Sequence, residues 1–174
     1  MKLELRVGLV ALLLSAFALG CIVHGSDAAP ATLPDVSLVP AGAAPGAARV
    51  SLVQVAGGKP MVIDFFATWC APCRESIPRL QAFADEHAGR GLVVVGVDVG
   101  EDAADVAPFV HDVGVRYPIF LDKDFTLADA VGAKRVPALL VVGADGRILH
   151  RAHELDAATR AAVEAALAPP AAKR

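Results

Sequence analysis

Three cysteines in 174 residues are too few for a small disulfide-stapled scaffold. They are also too few for a zinc site built from two cysteine pairs. The five histidines, at 24, 87, 111, 150 and 153, do not make up the shortfall, because none are paired at the spacing of a zinc-binding His pair. Aromatic residues are only 5% of the chain, so Val, Leu and Ala must fill most of any core. Basic residues do not outnumber acidic ones (16 Lys and Arg against 19 Asp and Glu, net charge −3), which gives no basic stripe for nucleic acid. No internal repeat is present. Apolar residues, by contrast, are plentiful: 55% of the chain, enough for one buried core and an apolar terminal segment in a chain sized for a single domain.

That terminal segment comes first. Lys2 and Arg6 precede an uncharged run from Val7 to Val23, the pattern of a signal peptide with a positive start and an apolar centre. The run is slightly short for a spanning helix, and an uncleaved anchor is the competing reading. Residues 1–20 are therefore read as signal and 21–32 as a tether. Cys21 closes the run in "FALGC". Small residues before a cysteine resemble the bacterial lipoprotein signal, whose cysteine is lipidated and becomes the new N-terminus. Gly20 fits that pattern, whereas Ala18 and Leu19 depart from it. Lipidation would also remove an odd thiol from an oxidising compartment.

Hydrophobic period organises the rest. Residues 35–39 and 49–55 alternate and are read as short strands around the Ala-, Gly- and Pro-rich loop 40–48. "MVIDFFA", 61–67, is a dense apolar run expected to be a buried central strand. Ile77, Leu80, Phe83 and Ala84 then fall at helical spacing, and "LVVVGVDV", 92–99, is a second buried strand. A strand–helix–strand unit with this crossover predicts parallel strands. A helix is expected within 101–114, with Pro108 against it. An extended piece at 117–122, a brief helix at 125–133, a hairpin around Asp145–Gly146 and a helix at 156–168 follow. The expected fold is α/β, a mixed sheet with helices on both faces, spanning 33–168 and followed by a tail at 169–174.

"WCAPC", 69–73, falls where the buried strand turns into the helix. Cysteines at i and i+3 near a helix start face the same way and can close a tight disulfide. Unpaired amides and the helix dipole there favour a thiolate, which is the nucleophile of thiol–disulfide exchange. Cys70 is thus the expected attacking residue and Cys73 the resolving one. Pro72 stiffens the first turn. A purely structural staple is disfavoured, because so small a loop yields the least entropy.

Residues 61–78 resemble the active-site segment of thioredoxin. Trp69 precedes the first cysteine, Asp64 lies six residues before it, Pro78 lies five after Cys73, and Val136–Pro137 precedes a strand. The longer order "GKPMVIDFFATWCAPC", "VVVGVDV", "YPIFLD" and "VPALLVVGADGRIL" is similar to the TlpA/ResA type within the redoxin group. Two positions depart from the pattern: Ala138 stands where Thr usually follows the proline, and Asp64 where much of the branch has Asn.

The resemblance implies a thioredoxin-like fold with an N-terminal β-hairpin extension and an insertion over roughly 101–132. It implies a cis-proline at 137 that, with Val136, helps bind extended substrate beside the disulfide, and a Trp69 that packs against the disulfide or touches substrate. It also implies burial of Asp64, which alternation alone does not decide. Buried, that carboxyl would titrate near neutrality and carry a proton for Cys73. The implied activity is extracytoplasmic thiol–disulfide exchange, with reduction of protein disulfides such as apocytochrome c heme-site cysteines the expected direction. A membrane electron donor, a lipid or signal anchor, and no cofactor or metal beyond the Cys70–Cys73 pair complete the expectation. Two other readings compete: a peroxiredoxin-like peroxidase, against which Thr68 sits only two residues before Cys70, and a thioredoxin-fold copper chaperone, against which the cysteine spacing is one residue short.

Overall fold

A computed structural model describes residues 29–44 and 46–168. The signal reading, lipidation at Cys21 and the tail therefore lie outside the described residues. Among the described residues no helix is long and apolar enough to cross a membrane.

Seven strands form one mixed sheet: β1 (Ser37–Pro40), β2 (Val50–Ser51), β3 (Met61–Phe66), β4 (Val93–Val99), β5 (Ile119–Asp122), β6 (Ala138–Val142) and β7 (Ile148–Ala152). Their order across the sheet is β2-β1-β5-β4-β3-β6-β7. The apolar runs of β3 and β4 become adjacent central strands, paired in parallel with Asp64 opposite Gly96 and Phe66 opposite Asp98. β5 extends the parallel set beyond β4. β6 and β7 add the antiparallel hairpin on one side, and β1 with β2 the antiparallel extension on the other.

Among the described residues five α-helices accompany the sheet: α1 (Leu52–Ala56), α2 (Ala71–His87), α3 (Ala103–Val113), α4 (Thr126–Val131) and α5 (Ala157–Leu167). Phe109 of α3 stacks on Phe66, Arg74 of α2 lies over Phe109, and Arg160 of α5 lies over Phe83 of α2. These contacts place α2, α3 and α5 on the sheet face that carries Asp64, Phe66, Gly96 and Asp98. The opposite face takes α4, since Asp129 lines one depression with Val99, which points away from Asp98 by strand alternation.

Three local readings change. Residues 52–55 are helical, not strand. Ser51 accepts a hydrogen bond from the Val53 amide as N-cap, and Gly57 closes the helix in the left-handed region, so capping overrides the alternation. Residues 31 and 32, read as the end of a tether, lie with Leu33 beside the start of β7. Thr32 bridges Arg147, the Leu33 amide donates to Gly146 O, and the Ile148 amide donates to Ala31 O. Pro108 sits inside an unbroken α3. His87, one of the histidines without a zinc-pair spacing, is buried against Phe83, with Nδ1 2.9 Å from Phe83 O and Nε2 3.1 Å from Glu164.

Candidate active site

β3 ends at Phe66 and the chain reaches α2 through Ala67–Cys70. Cys70 is the N-cap of α2: its backbone is extended (φ −82°, ψ 98°) and its Sγ accepts from the Cys73 amide at 3.2 Å. A sulfur thus occupies the place where a helix start usually puts a Ser, Thr or Asp oxygen, so amide dipoles converge on it. Cys70 and Cys73 are joined as a disulfide. Their exposures differ in order: Cys70 keeps 4% of its surface and Cys73 none. The neighbouring Trp69 stands out at 70% exposed.

The turn is held from β4's side. Glu101, just past β4, accepts from the Thr68 amide at 2.6 Å and from Thr68 Oγ1 at 2.5 Å. The segment 101–114, expected only to hold a helix, therefore begins with a residue that clamps the cysteine loop.

β6 runs antiparallel to β3 with Ala138 opposite Phe65. Its entry, the cis Val136–Pro137 bond, therefore lies at the sheet end where the cysteine turn begins. Val136 and Trp69 line the same open depression.

Asp64 is buried, on the face covered by α2. Burial raises its carboxyl to about 7, and a hydrogen bond from Tyr117 Oη at 3.2 Å opposes that rise. The Tyr117 hydroxyl is itself held far above its ordinary range by burial and by the adjacent Asp64. Two features let Tyr117 reach it. Gln81 Oε1, on α2, accepts from the Arg116 and Tyr117 amides at 2.6 and 3.3 Å. Gly96 leaves room: a Cβ there would come within 3.2 Å of the Tyr117 ring and 2.5 Å of Ile119 Cδ1. A second carboxyl, Asp98, is fully buried on the same face, and among the described residues neither of its oxygens has a hydrogen-bond partner. Burial, then the nearby Glu101 carboxylate, pushes it up to about 8.

The structure thus sets Cys70 and Cys73 just past the end of β3, the strand that carries Asp64 two residues before its end, while Trp69 and Val136 line one depression. Tyr117, Gln81, Glu101 and Asp98 were not read from the sequence. One signal was available: an isolated glycine within the β4 valine run marks close approach of another group.

Residues 28–151 match the AhpC/TSA family. The chain belongs to that family. Among its relatives, the thiol-disulfide oxidoreductase ResA of Bacillus subtilis (strain 168) is 28% identical over 128 residues, which are 74% of this chain and 66% of that protein. Other ResA proteins are matched over about half of their length, 52% for that of Halalkalibacterium halodurans. Of solved structures, a Chlorobium tepidum protein assigned as thiol:disulfide interchange protein DsbE superposes with a TM-score of 0.70 at 23% identity, covering 80% of this chain and 98% of that one. A thiol:disulfide interchange protein of the thioredoxin family from Chlorobium tepidum TLS gives 0.65 at 27%, covering 82% and 100%. The fold is thioredoxin-like, and the ResA relatives and DsbE-like structures support the TlpA/ResA type that the motif order implied.

Proposed function

We propose that the chain is a thiol–disulfide oxidoreductase that reduces protein disulfides outside the cytoplasm, tethered to a membrane through its N-terminal segment. The observation that carries the reading is the Cys70–Cys73 disulfide at the start of α2, in which Cys70 keeps a small exposed surface and Cys73 none.

In the reduced protein, the Cys70 thiolate attacks one sulfur of a substrate disulfide. A mixed disulfide forms and one substrate thiol leaves. The Cys73 thiolate then attacks Cys70 Sγ, restoring the internal disulfide and releasing the second substrate thiol. Two electrons pass to the substrate, and a donor must return them. Asp64, titrating near 7, takes the Cys73 proton directly or through water, and Tyr117 holds the acid in place. Trp69, Val136 and Pro137 receive the substrate backbone. Apocytochrome c and a membrane electron carrier are the substrate and donor in this reading, as the TlpA/ResA motif resemblance implies; the relatives' names support thiol–disulfide exchange.

The test pairs the reduction potential of Cys70–Cys73 with insulin reduction. The expected result is a potential near the reducing end of the dithiol range, roughly −270 to −120 mV, with turnover on insulin. A potential at the oxidising end, with preferential oxidation of substrate thiols, would reverse the direction. Peroxide consumption exceeding disulfide exchange would replace the reading with the peroxidase one, and stoichiometric copper binding that blocks no exchange would leave it standing.

A further inference from the structure

Phe125 breaks two local rules at once. Its backbone lies in the left-handed region (φ 56°, ψ 20°), the only described non-glycine residue there, and a bulky side chain rarely occupies it. It is also the N-cap of α4, a position that favours a small hydrogen-bonding side chain, and it forms no side-chain cap. Asp122, buried at the end of β5, supplies the cap from a distance by accepting from the Leu127 and Ala128 amides. Helix formation therefore does not account for a phenylalanine here. An outlier of this kind asks for a role elsewhere.

Its ring supplies one. The tip of the Phe125 ring lies against Gly100, where a Cβ would come within 2.5 Å of Cζ, so the glycine sets how close the ring sits. The ring nevertheless remains 45% exposed. Phe125 and Trp69 are the two exposed aromatics among the described residues, and both wall one open depression of about 420 Å³ beside the cysteine turn. Val99 and Val136 are also in its lining.

Apart from Ala133, the remaining lining is charged. Lys134 and Arg135 stand against the single carboxylate of Asp129. Neither cation forms an ion pair among the described residues. Arg135 is held in place: its Nε and Nη2 donate to His153 Nε2 at 3.2 and 2.9 Å, and His153 Nδ1 donates to Pro137 O at 2.8 Å. A carbonyl only accepts and a guanidinium only donates, which makes this His153 the neutral Nδ1–H tautomer. Arg135 therefore keeps an uncompensated positive charge, fixed relative to the proline ledge.

We propose that this depression selects the substrate: an extended protein segment with a bulky apolar side chain next to its reactive cysteine, seated between Trp69 and Phe125, and an acidic side chain a few residues away, met by Lys134 and Arg135. The inference rests on the exchange reading above and adds the class of segment exchanged.

The test uses the full chain, reduced, and a set of short peptides whose cysteine is in a mixed disulfide with a chromogenic thiol. The set varies one neighbour (Leu or Gly) and one distal pair (Asp-Asp or Lys-Lys). The expected result is kcat/KM about tenfold higher for Leu with Asp-Asp than for Leu with Lys-Lys at low ionic strength, shrinking as salt is raised. The double variant K134E/R135E reverses the charge preference. F125G removes the ring while giving the left-handed position its preferred residue, and it abolishes the advantage of Leu over Gly. Equal rates for acidic and basic peptides, or a charge preference unchanged in K134E/R135E, overturn the inference. Wild-type reduction of hydroxyethyl disulfide, which has neither feature, separates the two failures. Activity there with no peptide preference sinks only the selection claim, and no activity on any disulfide sinks the exchange reading beneath it.

Discussion

Asp64 and Asp122 are both buried aspartates on parallel strands of one sheet, yet they are provided for differently. Asp122 accepts from two helix amides, Leu127 and Ala128, so its oxygens are met by helix-start donors. Asp64 receives one phenol hydroxyl at 3.2 Å and otherwise sits among apolar side chains. Burial without compensation lifts Asp64 to about 7, where a proton is gained and lost under ordinary conditions. A carboxylate saturated with amides holds a helix. One left nearly dry holds a proton.

The largest effects separate the two by sign. Asp64→Asn removes a group whose folded pKa is raised above its unfolded value of 3.8. Such a group costs nothing while protonated, below about pH 4. Its cost grows as pH rises toward 7 and is constant above, reaching at most about 4 kcal/mol. The variant is therefore expected to be more stable than wild type at pH 8, with the gap closing by pH 4, as read by urea denaturation at both pH values. The same change is expected to slow exchange on the order of 10²-fold through the resolving step. Asp122→Ala goes the other way. It leaves two buried amides without an acceptor, and a loss of about 1–3 kcal/mol is expected, read as a lowered Tm. A stabilised Asp122→Ala, or an Asp64→Asn with no pH-dependent gain, would break the contrast. Tyr117→Phe gives the smallest effect. Losing the phenol donor removes the one interaction that lowers the Asp64 pKa, so the pH at which exchange turns on should move up by as much as about one unit. A downward move would mean that Tyr117 acts on some other group.

The contrast also explains what was legible in the sequence. β3, α2 and β4 were readable because period, length and the Cys-x-x-Cys spacing are carried within some forty consecutive residues. The ledge at Val136–Pro137 was readable only through resemblance, since no local signal ties it to Cys70. Residues 49–55 misled because Val, Leu and Val alternate there, while a single serine hydroxyl decides for helix. Tyr117 meets Asp64 across 53 positions, and Glu101 meets Thr68 across 33. Contacts of that kind depend on which strands become neighbours, which pattern alone does not specify. Phe125 was invisible for another reason: in sequence it is one more apolar residue at a helix start, and only its backbone angle marks it out.

The central claim is an order of events at two sulfurs, Cys70 first and Cys73 second. Trapping tests it most directly. Reduced Cys73→Ser and Cys70→Ser proteins are each mixed with a disulfide-containing substrate and resolved by non-reducing mass spectrometry. Cys73→Ser should accumulate a covalent complex through Cys70, and Cys70→Ser should accumulate little. Equal trapping by Cys70→Ser, through the fully buried Cys73, would contradict the account.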